Sequence, residues 1–277
     1  MLETGLQRIR STAHAIAIPT RFDAARGFAR LSRAAVGMTL LTLGMLMLDD
    51  RMIGGEPVWL KPFKFSVSFA LLFATLGLAT QRLSPRWRTS WLLVSTVGAS
   101  GAAFVFEMAY IGTQAARQEL SHFNDTTPFH AMMYGLMGAG ATVLMLTVGL
   151  VGGAVWMDRA ARFAPRLRLG IALGFIATMV LTFWVAGTLA GNGGRFVGLP
   201  SADGPKLPLL GWSMEVGDLR PAHFFALHAM QILPVFGLLA DRLNLSARVI
   251  WIVALLYASF TAMVFLKALQ GIPLISA

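Results

Sequence analysis

Seven long apolar segments, separated by short polar stretches, limit this chain to a bundle of membrane-spanning helices. A helix needs about 20 apolar residues to cross the hydrocarbon core of a bilayer, and every segment except the first reaches that length. The chain is 56% hydrophobic and only 13% charged, which excludes a soluble domain. The segments cover residues 34–48, 59–80, 90–113, 128–156, 167–190, 221–240 and 246–269. We therefore predict an all-α, polytopic membrane protein whose single seven-helix transmembrane domain covers residues 34–277.

The positive charge of the chain is concentrated in alternate loops. Such loops stay on the cytoplasmic side of a membrane, so we predict a cytoplasmic N-terminus, a periplasmic C-terminus and a place in the bacterial inner membrane. The net charge of +10 thus reports membrane topology and the lipid bilayer as partner, and does not indicate nucleic-acid binding. Fifteen arginines fall on the predicted cytoplasmic side: Arg8, Arg10, Arg21, Arg26, Arg30, Arg33, Arg82, Arg86, Arg88, Arg159, Arg162, Arg166, Arg168, Arg242 and Arg248.

The first 33 residues differ in character from the rest. Six arginines alternate there with apolar residues, and Pro19 interrupts the pattern. We interpret residues 1–33 as a basic, partly amphipathic segment on the cytoplasmic membrane surface. The chain contains no cysteine, which excludes disulfides, iron–sulfur clusters and thiol catalysis.

The most unusual stretch of the chain is GDLRPAHFFALHAMQ, residues 217–231. It places charged and polar groups inside an otherwise apolar segment, where their desolvation is costly and where they tend to mark a site. Pro221 suits the first turn of a helix, because the N–H that proline lacks would have no partner there. The polar residues of this stretch are Asp218, Arg220, His223, His228 and Gln231.

Two further polar stripes lie at the predicted outer face. The spacing of residues along the third segment places Glu107, Tyr110, Gln114 and Arg117 on one side of a helix, and the second segment does the same for Lys61 and Lys64. The lysines and arginines would suit a phosphate, a carboxylate or haem propionates. Three more candidates follow the third segment, namely His122, Asn124 and His130.

Three segments of the chain resemble a group of bacterial multi-spanning inner-membrane proteins. They are WLKPFKF, QAARQELSHFN and GDLRPAHFFALHAMQ, and the likeness extends over roughly residues 56–235. The resemblance implies the membrane class and a multi-pass topology. It implies no activity and no cofactor.

One hypothesis is a metal-dependent membrane enzyme that acts on an anionic or amphiphilic substrate at the periplasmic face. A divalent metal would be held by His122, His223 and His228, with Glu107 or Asp218 as a further ligand or general base. In that enzyme Glu107, Asp218 and His228 are the catalytic residues. The spacing of His223 and His228 counts against it, because a ligand pair on one helix is usually three or four residues apart. The substrate would be bound by Lys61, Lys64, Tyr110, Gln114, Arg117, Asn124, Arg220 and Gln231.

A second hypothesis is a redox protein that binds one haem b or a quinol. Haem b needs an axial histidine from each of two facing helices. Here His122 or His130 would pair with His223 or His228. Basic residues would hold the haem propionates.

A third hypothesis is a transporter or a ligand sensor, with Glu107, Arg117, Asp218 and Arg220 in its binding site. All three hypotheses place the polar residues in one cavity at the outer leaflet. We also expect the third and sixth spans to be neighbours. Glu107 and His228 would then lie at a similar depth and interact, directly or through a metal or a water molecule, as the deep reactive end of the site. Arg117 would lie nearer Asp218 or Asp125.

Overall fold

A computed structural model describes residues 22–276 of the chain, except residues 202 and 209. Most of the predicted basic segment, residues 1–21, lies outside the described residues. The described part is a bundle of eight helices, of which seven are long and apolar enough to cross a membrane. The chain is thus a helical, multi-pass membrane protein, as predicted. Helices α1–α8 cover Ala24–Leu48, Leu60–Thr80, Pro85–Arg88, Trp91–Ala116, Pro128–Met157, Pro165–Gly191, Leu219–Arg242 and Ala247–Leu269.

Helix α1 begins ten residues before the apolar segment that predicted it. Asp23 caps the helix by accepting a hydrogen bond from the Arg26 backbone N–H at 3.2 Å. The first turns bury Phe28 and leave Arg26 and Arg30 exposed. Because these turns carry charged residues, a search for continuous apolar segments does not detect them. The prediction for this helix was therefore wrong at its start and right at its end.

The loops meet at two ends of the bundle. The arginine-rich end comprises residues 81–90, 158–164 and 243–246, and the loop-rich end comprises residues 49–59, 117–127 and 192–218. At the arginine-rich end, Asp241 accepts hydrogen bonds from the first backbone N–H groups of α6, including Leu167 at 2.7 Å. At the loop-rich end, Arg51 donates to the carbonyl oxygen of Ala116 at 2.9 Å.

The order of packing in the bundle determines which side chains can meet. Helix α1 packs on α2, and both contact α4; α4 packs on α5, α5 on α6, α6 on α7, and α7 on α8. An aromatic cluster fills the space between α1, α2 and α4, with ring centroids 5.0 Å apart for Phe69 and Phe104. Helices α6 and α7 pack closely because glycine lies at their contact. A Cβ at Gly174 would lie 2.7 Å from the Ala229 carbonyl oxygen.

Two short antiparallel strand pairs shape the loop-rich end. Strand β1 (Met52–Ile53) pairs with β2 (Glu56–Pro57), and β3 (Phe196–Val197) pairs with β4 (Gly217–Asp218), both antiparallel. The second strand pair joins the loop after α6 to Asp218, the residue that precedes α7. This pairing positions the candidate site.

Candidate functional site

Asp218 and Arg220 form a fixed unit at the start of α7. The carboxylate of Asp218 is buried and accepts hydrogen bonds from the backbone N–H groups of Arg220 and Ser213, both at 3.0 Å. The Arg220 guanidinium donates to the same carboxylate through Nε and Nη2, and Nη2 also donates to the Gly211 carbonyl oxygen at 2.6 Å. Asp218 therefore caps the helix and orients Arg220. It is not available as a metal ligand or general base.

The second strand pair brings Arg195 close to Arg220. Phe196 lies opposite Asp218 in the strand pair, and the Leu219 N–H donates to the Arg195 carbonyl oxygen at 3.0 Å. The guanidinium carbon of Arg195 lies 4.9 Å from the centroid of the Phe196 ring, and that of Arg220 lies 5.5 Å from it. Two like charges thus contact one aromatic ring.

Two lysines at the start of α2 belong to the same electrostatic group. Lys64 lies within electrostatic range of the guanidinium groups of Arg195 and Arg220, and Lys61 within range of that of Arg195. Glu56 of β2 acts on both lysines and lies beside Gly211. We call Lys61, Lys64, Arg195 and Arg220 the cationic cluster.

The charges of the cationic cluster are only partly balanced. Ion pairs among the described residues include Arg220 but not Lys61, Lys64 or Arg195. Burial lowers the pKa of Arg195, and the nearby Arg220 charge lowers it further, while Glu56 and Asp218 offset part of the effect. An anion bound among the four side chains would relieve this repulsion.

Glu107 lies deeper than the cationic cluster, on the buried face of α4. Only 4% of its surface is exposed, and its Oε1 lies 3.3 Å from the position that a Cβ on Gly140 of α5 would take. Lys61 is the charged group that acts on it. The predicted interaction of Glu107 with His228 is not formed, because Glu107 faces α5 whereas His228 lies on α7.

The expectation that the third and sixth spans are neighbours is wrong. These spans are α4 and α7. Helix α4 packs mainly on α1, α2 and α5, whereas α7 packs mainly on α6 and α8. The deep reactive end that was expected between them is therefore absent from the described residues.

A second group of predicted residues lies apart from the cationic cluster, between α4 and α5. Tyr110, Gln114, Arg117 and His130 line a groove of about 520 Å³ there. Arg117 is exposed and pairs with Glu119 at 2.9 Å, not with Asp218 or Asp125 as expected. That pairing lowers the pKa of Glu119. None of the four side chains of the cationic cluster lines this groove.

Asn124 and Gln114 stabilise the α4–α5 loop. Both side-chain amides donate to the Leu120 carbonyl oxygen, at 2.8 and 3.0 Å. The Asn124 side-chain oxygen accepts a hydrogen bond from the Thr126 hydroxyl at 2.7 Å. These contacts occupy the polar groups that the sequence assigns to substrate binding.

The histidines have separate surroundings. His122 lies between the rings of Phe65 and Tyr134, with centroids 5.3 and 5.9 Å away. Burial and then the Lys61 charge hold its pKa well below the usual range. His228 contacts the Phe224 ring at 4.2 Å, and its Nδ1 lies 3.2 Å from Gln231 Oε1. His223 has a buried Nδ1 without a hydrogen-bond partner among the described residues.

This arrangement does not fit the predicted cofactors. Among residues 22–276, without 202 and 209, no three His, Cys, Asp or Glu side chains form a group that could hold a metal ion. His122, His223 and His228 therefore do not make the predicted metal site. For haem, His130 lies on α5 and the α7 histidines lie beyond α6, which packs against both helices. Helices α5 and α7 are not among the closely packed helix pairs, and the alternative axial ligand, His122, is held between Phe65 and Tyr134.

Sequence reasoning missed Arg195 and Glu56. Arg195 lies in a loop on the predicted outer side, where the positive-inside rule disfavours arginine, and this was the available signal. Glu56 had no such signal, because it precedes the span and is an ordinary loop residue by sequence. Its relation to the cluster depends on the folding of two loops onto each other.

Comparison with known proteins gives no family for this chain. No protein-family model matches it. The search of curated proteins finds no match, and neither does the search of solved structures. Its function is therefore inferred from the geometry of its own residues.

Proposed function

We propose that this integral membrane protein binds a small anionic ligand, with a phosphate or carboxylate group, in the cationic cluster at its loop-rich end. The proposal rests mainly on one observation: the guanidinium groups of Arg195 and Arg220 lie on the same Phe196 ring. Lys61 and Lys64 add two charges to this place. Fewer carboxylates than cations surround them, namely Glu56, Asp218 and the deeper Glu107.

The four side chains have complementary roles in this proposal. Arg220 is held by Asp218 through Nε and Nη2, so that its Nη1 remains to donate to a ligand. Arg195 offers a second planar fork, which suits the paired oxygens of phosphate or carboxylate. The lysines add mobile charges on long stems, which follow the ligand. In this proposal Arg220 has a fixed orientation toward the ligand, whereas the lysine side chains adjust to the ligand's position.

The membrane orientation belongs to the same proposal. The arginine-rich end would face the cytoplasm of a bacterium and the loop-rich end the periplasm, following the positive-inside rule. A ligand would then reach the cationic cluster from the periplasm or from the outer leaflet of the inner membrane. Binding for transport or for sensing agrees with this arrangement. The metal-dependent enzyme loses its main support, because its three histidines do not meet.

Titration calorimetry with inorganic phosphate tests the proposal. Lys64→Gln and Arg195→Gln should each weaken binding by roughly tenfold or more, because each removes a charge-assisted hydrogen bond of about 1.5 kcal/mol. Arg117→Gln is the matched control: it removes one positive charge at the same end of the bundle, outside the cluster. Equal affinity in all four proteins, or no binding by the wild type, would contradict the proposal.

A further inference from the structure

Helices α2 and α7 run parallel from the loop-rich end and are in register. The Gln231 side-chain amide donates to the Thr75 hydroxyl at 3.2 Å, across a sequence separation of 156 residues. Lys64 and Arg220, which belong to the cationic cluster, have the same separation. Lys64 and Arg220 therefore lie at one depth along the two helices, and Thr75 and Gln231 at a second, deeper one. Eleven residues separate the levels, which is about 16 Å of helix.

Between those levels the two helices do not pack closely. Helix α2 packs on α1, α4 and α5, and α7 packs on α6 and α8. On α2, Ser68 and Leu71 lie between Lys64 and Thr75 at helical spacing and are exposed. On α7, the exposed Phe224 and the half-buried His228 lie between Arg220 and Gln231 in the same way. Exposed side chains of both helices therefore flank the line from the cationic cluster to the Thr75–Gln231 hydrogen bond, and we call this face of the bundle the α2–α7 crevice.

The dimensions and chemistry of this crevice match a lipid. Its length of about 16 Å equals roughly half of the 30 Å hydrocarbon core, which is the depth of one leaflet. Its walls are mostly apolar, with Leu71 41% and Phe224 40% exposed. Its upper end is the cationic cluster, where a headgroup phosphate would lie. The cations alone would bind any small phosphate, and the apolar stripe beneath them adds complementarity to the acyl chain of an anionic amphiphile.

We infer that the ligand of the cationic cluster is an anionic lipid of the surrounding bilayer, which enters sideways between α2 and α7. This inference rests on the proposed function and adds the ligand class and the route. The phosphate contacts the cationic cluster, and one acyl chain lies along Ser68, Leu71 and Phe224. The Thr75–Gln231 hydrogen bond closes the crevice at the level that the chain end reaches.

Native mass spectrometry of lipids retained by the purified protein tests the inference. The protein is released from nanodiscs that contain equal amounts of phosphatidylglycerol and phosphatidylcholine with identical acyl chains. The wild type should retain phosphatidylglycerol preferentially. Ser68→Trp, which fills the crevice, should lower that retention at least tenfold, and Leu71→Phe should lower it less. Val67→Trp is the control, because its exposed side chain points about 100° away from that of Ser68.

Phosphate titration of the same variants separates the inference from the proposed function. Ser68→Trp should bind inorganic phosphate as the wild type does, which also shows that the variant is folded. Equal lipid retention in Ser68→Trp and Val67→Trp, or no preference for phosphatidylglycerol in the wild type, overturns the crevice even if phosphate binds normally. If the wild type binds neither phosphate nor phosphatidylglycerol, the proposed function is overturned as well.

Discussion

The side-chain amide of Gln231 donates a hydrogen bond to the hydroxyl of Thr75 and so connects α7 to α2. Thr75 in turn donates to the Leu71 carbonyl oxygen at 2.8 Å. Gln231 Oε1 can only accept, so the adjacent His228 Nδ1 must be the donor in that contact. The result is one chain of hydrogen bonds across the closed end of the crevice.

We expect a double-mutant cycle to detect this connection. Thr75→Val and Gln231→Leu should have a coupling energy of about 0.6 kcal/mol, the usual size for a hydrogen bond between membrane helices. The measurement is the free energy of unfolding of the wild type, the two single variants and the double variant in bicelles. Additive effects of the two substitutions would show that the contact contributes no stability.

Asp218→Asn should destabilise the protein by about 2–3 kcal/mol, because it leaves the partly buried Arg220 without its charge partner. Phosphate affinity should also fall, although the substitution makes the site more positive, since Arg220 loses its orientation. Unfolding and phosphate titration measure the two effects. Glu119→Gln is the control: it breaks an exposed pair with Arg117 and should change little. Tighter phosphate binding by Asp218→Asn would show that orientation does not matter.

Gly217→Ala should weaken phosphate binding without touching a charged residue. An alanine Cβ at this position would collide with the Ala268 carbonyl oxygen of α8, and β4 would have to move. That movement displaces Asp218 and the strand pair that holds Arg195. Gly194→Ala is the control, since its Cβ would meet nothing within 4 Å. Wild-type affinity of Gly217→Ala in the same titration would show that β4 tolerates the shift.

His122 should make the protein less stable in mild acid. Burial and the Lys61 charge depress its pKa in the folded state, so the unfolded state binds more protons as the pH falls below the ordinary histidine range. Stability from this group is therefore complete at neutral pH and declines on acidification. We expect His122→Phe to lose less stability between pH 7 and pH 5 than the wild type does. Equal losses, measured by chemical unfolding at both values, would exclude His122 as the cause.

The membrane orientation has a direct test in this cysteine-free chain. Ser201→Cys lies in the loop between α6 and α7 and should react with an impermeant maleimide in intact cells. Arg86→Cys, at the arginine-rich end, should react only after the membrane is opened. The reverse pattern would place the cationic cluster on the cytoplasmic side.

Composition and spacing alone were enough to predict the seven spans. A run of apolar residues long enough to cross a bilayer has few possible structures. Only a helix or a closed barrel satisfies all backbone hydrogen bonds in lipid, and an unsatisfied group there is costly. The stripes that contain Lys64 and Arg220 were also predictable, since helical spacing puts residues three and four apart on one face. Both signals are local, so the sequence determines them without knowledge of the fold.

Which stripes meet was decided by the tertiary structure. Glu107 and His228 are at similar predicted depths, yet α4 and α7 pack on different partners, and helix order cannot be derived from apolarity that is similar in every span. Arg195 reaches the cluster only because β3 pairs with β4, and Glu56 only because two loops meet. The sequence determined which residues have to leave lipid. Long-range packing, which depends on shape and on close contacts such as Gly174 with Ala229, determined where they went.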